Sequence, residues 1–95
     1  MNGISLRLYV TGHTPSAERA VAALADLRGH FGGRLSVQII DVLEDPVSAL
    51  NDDVYATPTV FRITPEPVRR LFGDLSRKET LIAGLGLDTE PDQAR

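Results

Sequence analysis

Ninety-five residues, 42% of them apolar and 24% charged, suit one small folded domain and argue against wholesale disorder. A formal net charge of −3 gives no overall attraction to nucleic acid, which excludes a general DNA- or RNA-binding role. There is no cysteine, so disulfides, thiolate nucleophiles, zinc–thiolate sites and dithiol redox chemistry are all ruled out.

No apolar run approaches the roughly 18 residues of a membrane span. The opening MNGISLRLYV lacks a basic region followed by an uninterrupted apolar core, so it does not read as a signal peptide. The expectation is a cytoplasmic protein without a membrane partner.

Ile4, Leu6, Leu8 and Val10 alternate with Ser5, Arg7 and Tyr9, the period of two that marks a first strand. Gly12-His13 turns the chain, Thr14 is placed to cap a helix, and Pro15 suits its first position. Ala17, Ala20, Val21, Leu24 and Leu27 then form one apolar helical stripe. Gly29 is the expected C-cap, with Phe31 tucking back into the core. A second strand is predicted over Leu35–Val42, buried on both faces by its end. Asp45-Pro46 starts a short helix that would bury Val47, Leu50 and Val54.

Ala56–Ser76 reads as a hairpin introduced by proline. Thr57-Pro58 is expected as a cis peptide, because the tertiary amide removes most of the trans preference. Val60, Phe61 and Ile63 favour a strand, Pro65-Glu66-Pro67 reverses it, and Val68, Leu71 and Phe72 flank Arg69-Arg70. Gly73-Asp74 ends the run. Ser76 and Glu79 have capping-box spacing and predict a last helix through Leu81, Ile82 and Leu85. The same letters, LIAGLGL, also fit a strand, and Gly84 and Gly86 each cost a helix about 1 kcal/mol relative to alanine. The order βαβαββα is that of an α/β, thioredoxin-like domain with a mixed sheet, spanning residues 1–87. A flexible polar tail is expected over 88–95.

In that fold Thr11–Ala17 occupies the place where a thioredoxin carries its paired cysteines. His13 has no thiol or acid next to it in sequence, and reads as a solvated turn residue or as the sole foothold for an enzyme. Asp41, Glu44, Asp45, Asp52 and Asp53 match no calcium-loop spacing and read as caps and a solvated face. No metal or cofactor is implied. Arg62, Arg69 and Arg70 lie on facing strands of the hairpin, with Arg69 and Arg70 on opposite faces. They serve either edge protection or a basic protein-docking surface.

LRLYVTGHTPSAERAV, QIIDVLEDP, ATPTVFRITPEPVRRLFGDLS and LIAGLGL, in that order, resemble the KaiB family of circadian-clock proteins. The resemblance runs from about Leu6 to Leu87. The N-terminal domain of a related sensory kinase shares the ATP and PEP signals, but GDLS followed by KETLIAGL favours KaiB. The resemblance implies a non-enzymatic regulator that docks on the N-terminal ATPase ring of a KaiC-type hexamer and modulates its phosphorylation cycle. KaiA and a sensory histidine kinase are the implied further partners. It also implies metamorphism between a monomeric thioredoxin-like state and a tetrameric ground state of order βαββααβ. The Ser76/Glu79 cap favours the first; a thioredoxin-like partner-sensing domain of another signalling system is the alternative function. Arg7, Arg19, Arg62, Arg69 and Arg70 match the family's partner-contact pattern. Thr57, Pro58, Asp74, Gly84 and Gly86 lie at the border of the switching half or within it. Gln38, Glu44 and Asp53 stand where relatives commonly carry lysine, and Gly86 where many carry aspartate.

Overall fold

The alternation in Ile4–Val10 becomes an inner strand with both faces covered. The computed structural model describes residues 3–87, and the tail expected at 88–95 lies outside them. In chain order come β1 (Ile4–Val10), α1 (Pro15–Phe31), a 3-10 turn (Gly32–Arg34), β2 (Leu35–Asp41) and α2 (Pro46–Asn51). A hairpin of β3 (Thr59–Thr64) and β4 (Arg69–Phe72) and then α3 (Lys78–Leu85) complete the predicted βαβαββα order. The sheet runs β2-β1-β3-β4. β1 pairs parallel with β2 (Leu8↔Ile39) and antiparallel with β3 (Leu8↔Val60), while β3 pairs antiparallel with β4 (Arg62↔Arg69). The fold is thioredoxin-like, with a mixed sheet and the expected cis Thr57-Pro58. Thr64-Pro65 and Glu66-Pro67 in the hairpin turn are also cis, which the sequence did not announce.

Because side chains alternate across a strand, β1 divides the interior into two cores. On one face Ile4, Leu6, Leu8 and Val10 pack with Leu24 and Leu27 of α1, Val60, and Leu81 and Leu85 of α3. On the other, Tyr9 and Phe61 pack with Ala49 of α2, their rings edge to face at 5.9 Å.

Four local expectations change. α1 continues past Gly29 and ends at Gly32 (φ 65°), which places Phe31 in the last helical turn and still buries it. The extra turn completes the stripe with Phe31, four residues on from Leu27. β2 is an edge strand, so Ile39 remains 48% exposed instead of being buried on both faces. α2 buries Ala49 while Val47 and Leu50 face solvent; Val54, beyond the helix, packs on the second core. Asp45 caps it as predicted, accepting from Ser48 N–H at 3.1 Å.

The fourth change concerns α3. Ser76 is not its cap: Ser76 Oγ and N–H donate to Asp74 Oδ1 at 2.6 and 3.1 Å, and Arg77 precedes the helix without a side-chain cap bond. A serine used locally by an aspartate two residues back is no longer free to cap. The helix-or-strand conflict over Leu81–Leu87 resolves as helix. Gly86 ends it in the left-handed region (φ 63°, ψ 42°), and Leu87 N–H returns to Ile82 O at 2.9 Å, the closing bond of a Schellman cap. Leu87 is buried by that turn.

Gly84 is explained by packing. A Cβ there would lie 2.7 Å from Leu71 Cδ2 and 3.2 Å from Leu71 Cγ, so the bare backbone lets α3 settle on β4. Gly84→Ala should therefore destabilise the chain by roughly 1 kcal/mol, because overpacking outweighs the gain in helix propensity. In a Leu71→Ala background the same change should become stabilising by about 1 kcal/mol. Urea unfolding of the four chains measures this coupling.

Candidate functional site

The corner where a thioredoxin keeps its thiols is built here from hydroxyls and a carboxylate. Thr11 follows β1 and meets Thr57, their Oγ1 atoms 2.7 Å apart, so the loop before α1 is tied to the Thr57-Pro58 junction. Thr14 caps α1, accepting from Ala17 N–H at 3.2 Å. Asp41, at the end of β2, accepts from the N–H groups of Gly12 (3.0 Å) and Leu43 (2.9 Å). Those two backbone donors hold its carboxyl below the usual aspartate range. His13 has an acid beside it in space although none adjoins it in sequence: Glu18 Oε2 lies 3.4 Å from its Nδ1, one turn into α1. Both side chains are largely in water, and no hydroxyl is hydrogen-bonded to His13 among the described residues. The corner is a braced junction with no activated nucleophile. Nor do the described residues contain a cluster of His, Cys, Asp and Glu able to hold a metal ion.

The five arginines singled out in the sequence occupy three settings. Arg7 and Arg70 share the α2 side of the sheet, where pairing sets Gln38, Arg7, Phe61 and Arg70 in one rank across all four strands. Arg7 donates from Nε to Gln38 Oε1 and from Nη1 to Asp52 Oδ2, both at 3.0 Å. Arg70 is exposed, its guanidinium 5.3 Å from the Phe61 ring centroid. Arg19 lies apart, exposed on α1, where it lines a shallow cleft with Pro58, Asp74 and Ser76.

Arg62 and Arg69 face each other across the hairpin, as the alternation implied, but their exposure differs. Arg69 is exposed. Arg62 is only 6% exposed, with its guanidinium on backbone carbonyls of the same chain. A buried guanidinium is not offered to a partner in this conformation, so Arg62 leaves the exposed docking set.

The sequence reading missed the polar cluster under α2. Tyr9 Oη donates to Asp52 Oδ2 and lies 3.1 Å from Ser48 O, fastening α2 to the middle of the sheet. The signal lay in the alternation itself, which put Tyr9 on the same face as Phe61. The acidic run that read as a solvated surface thus contributes Asp41 to the corner and Asp52 to this anchor. On its outer side the same region leaves Leu43, Val47, Leu50 and Tyr55 mostly in water, at 63–84% exposure.

Burial first, then the bond to Asp52, pushes the Tyr9 phenol from 10.0 up to about 12. A raised pKa means the neutral form is favoured on folding. That stability is complete below the unfolded value of 10.0 and is lost as pH rises through about 12. Asp52→Ala should lower the Tyr9 pKa without returning it to 10.0, since burial persists. Tyr9 Cζ shifts followed by NMR titration measure both values.

Comparison with known proteins places the chain. The KaiB domain model matches residues 7–87. Circadian clock oscillator protein KaiB of Prochlorococcus marinus strain MIT 9303 is 47% identical over 83 residues, covering 86% of this chain and 70% of that protein. The protein of the same name from Parasynechococcus marenigrum strain WH8102 is 46% identical over 83 residues, covering 86% and 80%. Among solved structures, the N-terminal domain of Synechococcus elongatus SasA superposes with a TM-score of 0.72 at 21% identity, covering 94% of this chain and 89% of that one. Mitochondrial thioredoxin 3 from Saccharomyces cerevisiae gives 0.74 at 17% identity, covering 93% and 81%. These two share the fold. With the family match spanning nearly all of the described residues, the chain belongs to the KaiB family of circadian-clock proteins, here in a thioredoxin-like fold.

Proposed function

We propose that this chain is a non-enzymatic, cytoplasmic clock regulator that docks on the N-terminal ATPase ring of a KaiC-type hexamer and modulates its phosphorylation cycle. The observation that carries the reading is the outer side of α2. Val47 and Leu50 on α2, and Leu43 in the turn before it, are large apolar residues left exposed among the described residues, although α2 is anchored from beneath. Exposed apolar side chains on a helix and the turn leading into it suit a protein partner. The basic residues of the hairpin, Arg69 and Arg70, add charge for an acidic partner surface, with Arg7, paired to Asp52, in the same rank as Arg70 and Arg19 apart on α1. Among the described residues no helix is long and apolar enough to cross a membrane.

The corner around Thr11, His13 and Thr57 supports the non-enzymatic part of the reading, because nothing in it activates a nucleophile. KaiA or a sensory histidine kinase is the proposed further partner once the ATPase is engaged. The thioredoxin-like form is proposed as the monomeric binding state, with a homotetramer as the alternative state. The half of the chain from Thr57-Pro58 onward, including Asp74, Gly84 and Gly86, is the half that would rearrange.

Pull-down with a KaiC hexamer and ATP tests the reading, after both brief and overnight mixing. A complex is expected, weakened about tenfold or more by Arg69→Glu with Arg70→Glu, and similarly by Val47→Asp with Leu50→Asp. His13→Ala should leave it unchanged. No complex under either mixing time overturns the proposal.

A further inference from the structure

Arg62 is a permanent charge almost wholly withdrawn from water, and no carboxylate lies within ion-pair distance among the described residues. Its counterparts are backbone carbonyls. Nη1 donates to Leu85 O at 2.9 Å and reaches Gly86 O at 3.4 Å, while Nη2 donates to Pro67 O at 2.7 Å. Nε is buried and has no hydrogen-bond partner among the described residues. One planar group therefore spans three segments: its own strand β3, the turn that leads into β4, and the C-terminal end of α3.

The arrangement suits the end of a helix. The last carbonyls of α3 lack intrahelical donors, and the helix dipole concentrates negative potential there. A guanidinium answers both, with two arms fixed in one plane. Gly86 makes room for it, since a Cβ at that position would stand 3.3 Å from Arg62 Nη1. Elsewhere α3 is held by Leu81 and Leu85 in the first core and by the Gly84 contact with Leu71. The helix has no side-chain cap at its N-terminal end.

We propose that Arg62 is a two-armed clamp whose hold on the C-terminal end of α3 sets how often that helix detaches from the sheet as a unit. The same burial gives the clamp its release. A cation held by neutral carbonyls, with one N–H unsatisfied, regains full hydration when α3 lifts away. Docked, the guanidinium closes the end of the helix and ties it to the hairpin. Detached, it is solvated. Opening would expose Leu81, Leu85 and Leu87 together with the sheet beneath them. The clamp belongs to the chain by itself, and stands whether or not an ATPase partner binds.

Hydrogen exchange on the full chain, followed by mass spectrometry and NMR, tests this without any partner. Arg62→Lys keeps the charge but loses the fork, and Arg62→Met keeps the stem but loses both. In each variant the amides of Leu81–Leu87 should exchange about tenfold faster or more, the loss expected for hydrogen bonds made by a charged donor. Leu24 and Leu27 in α1 should keep their protection. Arg69→Met, which removes the exposed neighbour, should leave α3 as it was. The unaltered chain supplies a second arm: with added urea, α3 amides should exchange through an opening of weaker denaturant dependence than that of α1. Three results would overturn the clamp. They are protection of α3 retained with methionine, equal loss of protection in α1 and α3 or failure to fold in the variants, and α3 exchanging only with global unfolding in the unaltered chain.

Discussion

Leu8 and Tyr9 are adjacent in sequence, fully buried, and on opposite faces of one strand. That pair states the constraint on which the rest of the molecule depends. β1 must be covered twice, and about ninety residues can cover it only with one long helix, one short helix and a last helix. α1 and α3 share the aliphatic face, which is wide and continuous. The opposite face receives the six residues of α2 and the segment just after it, so its cover is small and is fastened by polar bonds from Tyr9 to Ser48 and Asp52. A register slip of one residue in β1 would exchange these two faces, and neither cover would then fit.

Much of this was legible in the letters. Period-two alternation located β1 and β2, the Thr14-Pro15 and Asp45-Pro46 pairs located two helix starts, and β-favouring side chains between prolines located the hairpin. What escaped was tertiary. Alternation places Arg62 on a face but does not say that α3 and the turn at Pro67 will close over it. The Ser76/Glu79 spacing is that of a capping box, yet Asp74 is nearer and takes the serine first. LIAGLGL carries two periods at once. The choice was made by Gly84 against Leu71 and by Gly86 in the left-handed region, neither of which a periodicity can express. Val47 and Leu50 were expected inside because they are apolar, but a two-turn helix lying on a single tyrosine has only one inner position to fill, and Ala49 fills it.

Arginines chosen on one criterion, positive charge in a recognisable pattern, turned out to have different physical lives. Arg7 is bound to Asp52 and Gln38, and Arg70 lies over an aromatic ring. Arg69 is open to solvent, while Arg62 is enclosed by carbonyls. Charge in a sequence is a count; charge at a surface depends on what the fold puts within three or four ångströms of it. The same holds for the acidic run, where Asp41 braces a loop and Asp52 anchors a helix although Glu44 and Asp53 of the same run face water.

The fastening of α2 has an evolutionary side. Its grip on the sheet uses the backbone carbonyl of Ser48, the carboxylate of Asp52 and the small side chain of Ala49. Val47, Leu50 and Leu43 take no part in it. Mutation can therefore rewrite this outer surface, on the helix and in the turn before it, without disturbing the attachment beneath, so that the exposed surface and the fold's own attachment answer to separate residues. A lineage could change the character of this surface by drift at three positions, while the scaffold that presents them stays the same.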